Sequence, residues 1–105
     1  MGSRTAVSPH MVVGMGVLVF RLHACRSLKS KRSVVKSIIA KMRNHFNASV
    51  AEVGANDVYQ RAEIGFTMAG SDHKVINAKI DKVINFVEEL GLAELIDTEI
   101  EILHL

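Results

Sequence analysis

The amino-acid sequence predicts a single α+β domain of the ferredoxin-like class, a four-stranded antiparallel sheet with two helices on one face. Segments with a strand pattern and segments with a helix pattern follow one another in the order β-α-β-β-α-β. The chain has 105 residues, which is the usual size of one domain. Its hydrophobic content of 49% is sufficient to fill one core.

The first strand is predicted over residues 12–23, which are rich in β-branched and large apolar side chains. Alternation places Leu18, Phe20 and Leu22 on the face that meets the helices. The opposite face carries a second apolar set, Val13, Met15, Val17 and Val19. Helices on one side only would leave this set exposed, and an exposed apolar patch indicates an interface. We therefore expect a homodimer that uses these four residues. The alternative is partial cover of the patch by the N-terminal residues or by residues 92–97.

The first helix is predicted over residues 28–46, where apolar side chains recur with helical spacing. Ser27 precedes it as a candidate N-cap. At 100° per residue, four cations fall within roughly 60° of one another on a second face. They are Lys29, Arg32, Lys36 and Arg43. Lys31 points nearer the apolar stripe, where its aliphatic stem could lie on apolar surface with its charge in water.

Residues 47–53 and 58–69 have strand patterns, and the turn residues at 54–57 predict a hairpin between them. Ser71 or Asp72 would cap a second helix, which a left-handed glycine at position 91 would end. Residues 95–105 form the last predicted strand. Beyond the first strand, the side chains expected to face the helices are Ile64, Phe66, Met68, Ile100 and Ile102.

Charge is divided unevenly along the chain. Residues 1–51 contain nine Lys/Arg and no Asp/Glu, whereas residues 52–105 contain four Lys/Arg and eleven Asp/Glu. Seven of the nine early cations lie within residues 26–43. Such a basic block favours contact with a polyanion, with RNA as the first candidate. The alternative is a solvated helix face whose charge is balanced by acidic residues elsewhere in the fold. The residues predicted to bind phosphate are Arg26, Ser27, Lys29, Lys31, Arg32, Lys36 and Arg43, where Ser27 orients the helix start.

Other classes of function find little support. Cys25 is the only cysteine, so an intramolecular disulfide is excluded, and a reducing, cytoplasmic location is expected. The apolar run at 11–20 is too short to span a bilayer. His23 and Cys25 lie close together, but there is no second cysteine and no His-x-x-x-His spacing. We therefore expect no metal and no cofactor.

The sequence contains no catalytic motif, so a non-enzymatic protein is expected. Residues 14–21 faintly resemble the acylphosphatase signature, in which an arginine and an asparagine bind an acyl phosphate, but they lack its Gln-Gly. The resemblance leaves a small-anion hydrolase as a third interpretation, for which Arg21 and Asn47 would be the corresponding residues. Residues 1–10 are small, polar and unpatterned, which indicates an expression-tag remnant or a disordered extension. The folded domain is therefore expected to comprise residues 11–105.

Three segments resemble a known family, SLKSKR at 27–32, FNASVAEV at 46–53 and DVYQRA at 57–62. The chain is similar to the YlxP-like family of small bacterial proteins, a domain of unknown function. The resemblance implies a ferredoxin-like fold and no established activity. Members are often encoded among genes for translation and ribosome maturation, which associates the family with RNA.

The chain departs from the family pattern at several positions. Ser30 replaces the usual glutamate, which removes half of a capping box from Ser27. Residues 54–56 are Gly-Ala-Asn where the family has Asp-His-Gln, so an acid–base or metal role for this loop is in doubt. Tyr59 replaces the usual tryptophan.

The leading interpretation is a non-catalytic accessory protein that binds RNA or a ribosomal particle through the first helix. The alternative is a protein–protein assembly module, or a homodimeric scaffold, that uses the apolar face of the sheet.

Overall fold

The structure, a computed structural model, describes residues 10–105. Six elements follow the predicted order: β1 (Val12–Arg21), α1 (Leu28–His45), β2 (Ser49–Gly54), β3 (Arg61–Gly70), α2 (His73–Leu90) and β4 (Glu94–His104). The prediction for residues 1–10 lies outside the described residues except at His10, which is exposed.

The four strands form one antiparallel sheet in the order β2-β3-β1-β4. α1 packs against β2, α2 packs against β1, β3 and β4, and the two helices contact each other. The ferredoxin-like prediction is therefore confirmed. The helices cover one face of the sheet, and we call the other face the open face.

The core lies between the helices and the sheet. The predicted helix-facing side chains of β1 and β3 are buried, as are Leu22 and the inward residues of both helices. Ile102 is partly buried against this core. Ile100 also lies on the helix side, since a β-carbon at Gly16 would meet both Ile100 Cδ1 at 2.6 Å and the ring of the buried Phe66 at 2.7 Å, but it remains 38% exposed. Its strand, β4, lies at the edge of the sheet and has a neighbour on one side only.

The loop between β2 and β3 is longer than predicted. β3 begins at Arg61, and Tyr59 lies in the loop with 44% of its surface exposed. The loop contains Ala55 in the left-handed region at φ 56° and a hydrogen bond of 3.1 Å from the Val58 N–H to the Ala55 carbonyl. A turn bond of this kind occupies backbone groups that a strand ladder would need, so the strand starts later.

The predicted helix ends are confirmed. The Ser27 hydroxyl accepts a hydrogen bond of 3.1 Å from the Ser30 N–H at the start of α1. The Asp72 carboxylate accepts one of 3.1 Å from the Val75 N–H at the start of α2. Gly91 ends α2 with φ 65°, a conformation that a side chain would strain.

Replacing Ser27 by alanine is expected to lower the free energy of unfolding by about 1 kcal/mol, because a donor in the first turn of α1 loses its partner. Urea unfolding measures the change. Ser33→Ala is the matched control, since Ser33 is exposed within the same helix, where alanine is the better helix former. Equal effects of the two substitutions would contradict a capping role for Ser27.

Candidate nucleic-acid interface

The outer surface of α1 carries a row of cations. The helix packs Val35, Ile38 and Met42 into the core, which turns the opposite side of the helix towards solvent. Lys29, Arg32 and Lys36 lie exposed on that side, and we call these three residues the basic ridge. With a rise of about 1.5 Å per residue, the ridge extends roughly 10 Å along the helix axis.

No carboxylate of the described residues neutralises the basic ridge. The ion pairs in this part of the chain are His23–Glu94, Lys31–Glu52 and Arg61–Glu63. α1 contains no acidic residue along its 18 residues. The ridge therefore presents three cations that are free to meet an external anion.

Arg26 and Ser27 lie at the N-terminal end of the same helix. Ser27 holds the first turn, as described above, and Arg26 is exposed immediately before it. The partial positive charge of a helix N-terminus adds to the charge of neighbouring cations. Arg26 can therefore act together with the basic ridge on one anionic ligand.

The structure removes Lys31 from the predicted phosphate-binding set. Its side chain is buried, with 2% exposed, and Nζ lies 3.1 Å from Glu52 Oε2. Lys31 Nζ also donates a hydrogen bond to the carbonyl of Ala55. Glu52 Oε2 is buried and has no other polar partner among the described residues. Lys31 thus joins α1 to the β2–β3 hairpin and cannot reach a ligand in solution.

Arg43 is also engaged within the protein. Its Nη2 donates a hydrogen bond of 2.6 Å to the carbonyl oxygen of Val50 in β2. The residue is exposed, but this bond holds part of its guanidinium against the sheet. Arg43 therefore belongs to the attachment of α1 to β2 and is a weaker candidate for phosphate contact than the basic ridge.

The aromatic residues do not form a surface on which bases could stack. Phe20 and Phe66 are buried in the core. The rings of Phe46 and Phe86 pack edge to face with centroids 5.3 Å apart, next to the core. Tyr59 is exposed, but it lies in a loop. An RNA-recognition sheet stacks bases on exposed aromatic side chains of its central strands, and the described strands present none.

The exposed apolar patch predicted to form a dimer interface includes fewer residues in the structure than the sequence predicts. Val13, Met15 and Val17 are half-buried on the open face, but Val19 is only 6% exposed. Val19 is flanked by Glu63 of β3 and Asp97 of β4. Cross-strand neighbours have Cβ atoms about 5 Å apart, so the stems of these acidic side chains shield it. Including Val19 in an exposed interface is therefore wrong.

The residues considered for small-anion chemistry do not come together. Arg21 pairs with Arg61 at one end of β1, whereas Asn47 lines a recess with Met11 and Val13 at the other end. Eight residues of strand separate the two ends, roughly 25 Å. Within residues 10–105 no group of three or more His, Cys, Asp or Glu side chains could hold a metal ion. None of the helices described is long and apolar enough to cross a membrane.

The Lys31–Glu52 pair was missed at the sequence level, although a signal existed. Lys31 falls on the apolar side of α1, where a charge needs a partner, and Glu52 is the first acidic residue of the chain. Which carboxylate lies opposite Lys31 depends on how α1 sits on β2, and the sequence pattern does not contain that information.

The chain is similar to several known proteins. The family described as "Protein of unknown function (DUF503)" matches residues 13–100. The uncharacterized protein YlxP of Bacillus subtilis (strain 168) is 34% identical over 62 residues, which cover 59% of this chain and 67% of that protein. A de novo designed protein, Foldit4, superposes with a TM-score of 0.48 at 13% identity, covering 90% of this chain and 96% of the design. The family match spans most of the chain and confirms the resemblance seen in the sequence, so the protein belongs to the DUF503, YlxP-like family of proteins of unknown function.

Proposed function

We propose that this protein is a non-catalytic RNA-binding accessory factor that contacts the phosphate backbone through the basic ridge of α1, assisted by Arg26. The observation that carries the proposal is the row of three exposed cations without a carboxylate partner among the described residues. Phosphate contacts of Lys and Arg supply most of the affinity in sequence-independent binding to nucleic acids.

The distribution of charge favours one orientation of the bound RNA. The basic ridge lies on the helix side of the sheet, whereas Glu99 and Glu101 of β4 lie on the open face. A polyanion is attracted to the first surface and repelled by the second. The helix layer would therefore face the RNA, and the open face would remain accessible.

The expected mode of binding has weak sequence preference, because the contacts are to phosphates and the sheet offers no stacking aromatics. Four cations, Arg26 and the basic ridge, predict a slope of about −3 for the logarithm of affinity against the logarithm of salt concentration with single-stranded RNA. Ribosomal RNA, free or within a ribosomal subunit, is the source that the genomic association of the family suggests.

The test is a triple charge reversal, Lys29→Glu, Arg32→Glu and Lys36→Glu. We expect the affinity for a single-stranded RNA oligonucleotide to fall on the order of 100-fold at low salt, because three attractive contacts become repulsive. The salt slope should become shallower by about 2, from about −3 to about −1. Fluorescence anisotropy across a salt series measures both quantities, and circular dichroism verifies that the variant is folded.

A matched control exists on the second helix. Lys74, Lys79 and Lys82 of α2 are also exposed, and their reversal to glutamate changes the net charge by the same amount. If the binding site is on α1, this control variant should retain most of the affinity for the RNA oligonucleotide. Equal losses in both triple variants would show diffuse attraction without a site, and undiminished binding of the α1 variant would refute the proposal. Binding to ribosomal subunits, measured at the same salt concentrations, then tests whether ribosomal RNA is the natural ligand.

A further inference from the structure

The open face of the sheet contains an apolar groove with an acidic wall. About 390 Å³ of open space lies over β2, β3, β1 and β4, and its floor includes Met15, Val17, Ala51 and Gly65. In the antiparallel register, Glu101 lies directly opposite Met15, and Glu99 directly opposite Val17. The two carboxylates therefore border the apolar floor along its β4 side, and we call this feature the acidic groove.

The depth of the acidic groove depends on Gly65. This residue lies in the middle of an interior strand, where glycine often marks a place at which another molecule approaches closely. A β-carbon at position 65 would lie 2.9 Å from Val53 Cγ1, so the floor between Val17 and Val53 is open only because the side chain is missing.

The carboxylates of the wall are without cationic partners. Neither Glu99 nor Glu101 belongs to an ion pair among residues 10–105, and both are exposed. By contrast, Glu63 on the same face is paired with Arg61 at 3.1 Å. An apolar floor beside two unpaired carboxylates is complementary to a ligand that is apolar on one side and positively charged along one flank.

We infer that the acidic groove binds a cationic amphipathic helix of a partner protein, independently of any RNA bound to α1. The backbone groups beneath the groove are already paired within the sheet, so the ligand cannot add a strand there. It must satisfy its own backbone hydrogen bonds over an apolar floor, which a helix does. The sheet would then be covered on both faces, by α1 and α2 on one side and by the partner helix on the other.

A second copy of this chain is a poorer occupant. Face-to-face pairing about an axis along the strands would place Glu99 and Glu101 over Ser49, Ala51 and Val53 of the partner, which carry no charge. Pairing about the perpendicular in-plane axis would bring the acidic rows of the two β4 strands together, which is unfavourable. The homodimer predicted from the sequence is thus the competing outcome in the following experiment.

The probe is a labelled 14-residue amphipathic helix of leucine and lysine, compared with the same peptide in which every lysine is glutamate. Fluorescence anisotropy should show that the full chain binds the leucine–lysine peptide and not its acidic counterpart. The double reversal Glu99→Lys/Glu101→Lys should weaken binding at least about 10-fold and permit binding of the acidic peptide.

Two further variants test whether peptide binding depends on the position of the charges and on the open groove. Glu88→Lys/Glu89→Lys makes the same change of charge on exposed residues of α2 and should leave the affinity nearly unchanged. Gly65→Val adds no charge, but fills the groove, and should also weaken binding about 10-fold or more. Val53 is 55% exposed, so its side chain can move away and the variant can fold.

Absence of binding, or equal losses in the two charge-reversed variants, would overturn the inference. Analytical ultracentrifugation of the wild-type protein and of Gly65→Val measures the oligomeric state and so tests whether a second copy occupies the groove. A dimer that Gly65→Val dissociates would assign the groove to a second copy and overturn the proposed occupant, whereas a monomer that binds the leucine–lysine peptide supports it.

Discussion

Replacing Lys31 by methionine is expected to lower the free energy of unfolding by about 3 kcal/mol, although the two side chains are similar in length and volume. The substitution leaves the buried Oε2 of Glu52 without the ammonium that lies 3.1 Å away in the native protein. It also removes the hydrogen bond that Lys31 donates to the carbonyl of Ala55, a loop residue in the left-handed region at φ 56°. Urea unfolding followed by circular dichroism measures the change.

A double-mutant cycle separates the ion pair from the packing of the lysine stem. Lys31→Met combined with Glu52→Leu should be more stable than Lys31→Met alone, because no uncompensated buried carboxylate remains. Lys29→Met on the exposed side of the same helix should change stability by less than about 0.5 kcal/mol. If Lys31→Met were as stable as the Lys29 variant, Lys31 would not hold the hairpin to α1.

The second large effect is expected for Leu18→Ala, which should lower the free energy of unfolding by about 2 to 5 kcal/mol. Leu18 is fully buried between the sheet and the helices, at 0% exposure. Truncation removes apolar contact and leaves a cavity that the close-packed surroundings can only partly fill. Thermal and urea unfolding should both show the loss.

Val17→Ala is the matched control, because Val17 is the neighbouring residue of the same strand and points to the open face. Its expected effect on stability is about 1 kcal/mol or less, since its side chain is only half-buried. The pair of substitutions therefore tests which face of β1 belongs to the core. Equal losses at the two positions would contradict a sheet with helices on one face only.

Much of the fold was predictable because its signals are local. The alternation of β1 separates Leu18 from Val17, and the period of α1 separates Val35 from Lys36. Caps are similarly local, since Ser27 and Ser30 are three residues apart. The degree of exposure was not predictable where neighbours in space decide it. Ile100 is exposed because its strand is at the edge of the sheet, and Val19 is shielded by residues of two other strands.

The candidate site shows the same division. The sequence places Lys29, Arg32 and Lys36 on one side of a helix, because the angle between residues follows from their spacing alone. It cannot separate these three cations from Arg43, which lies within the same sector of roughly 60°. In the structure, Nη2 of Arg43 donates to the carbonyl of Val50 in β2.

By itself, the sequence determined the order of elements, the ends of the helices, the family and the direction in which each side chain leaves its own element. The tertiary structure alone decided which charges are available. In the folded protein, Lys31 is buried in contact with Glu52 and with Ala55, which is 24 residues away. Glu99 and Glu101 lie unpaired beside the acidic groove. The physical reason is that periodicity specifies orientation within one element, whereas ion pairing depends on the register and packing between elements, which are set by the whole core.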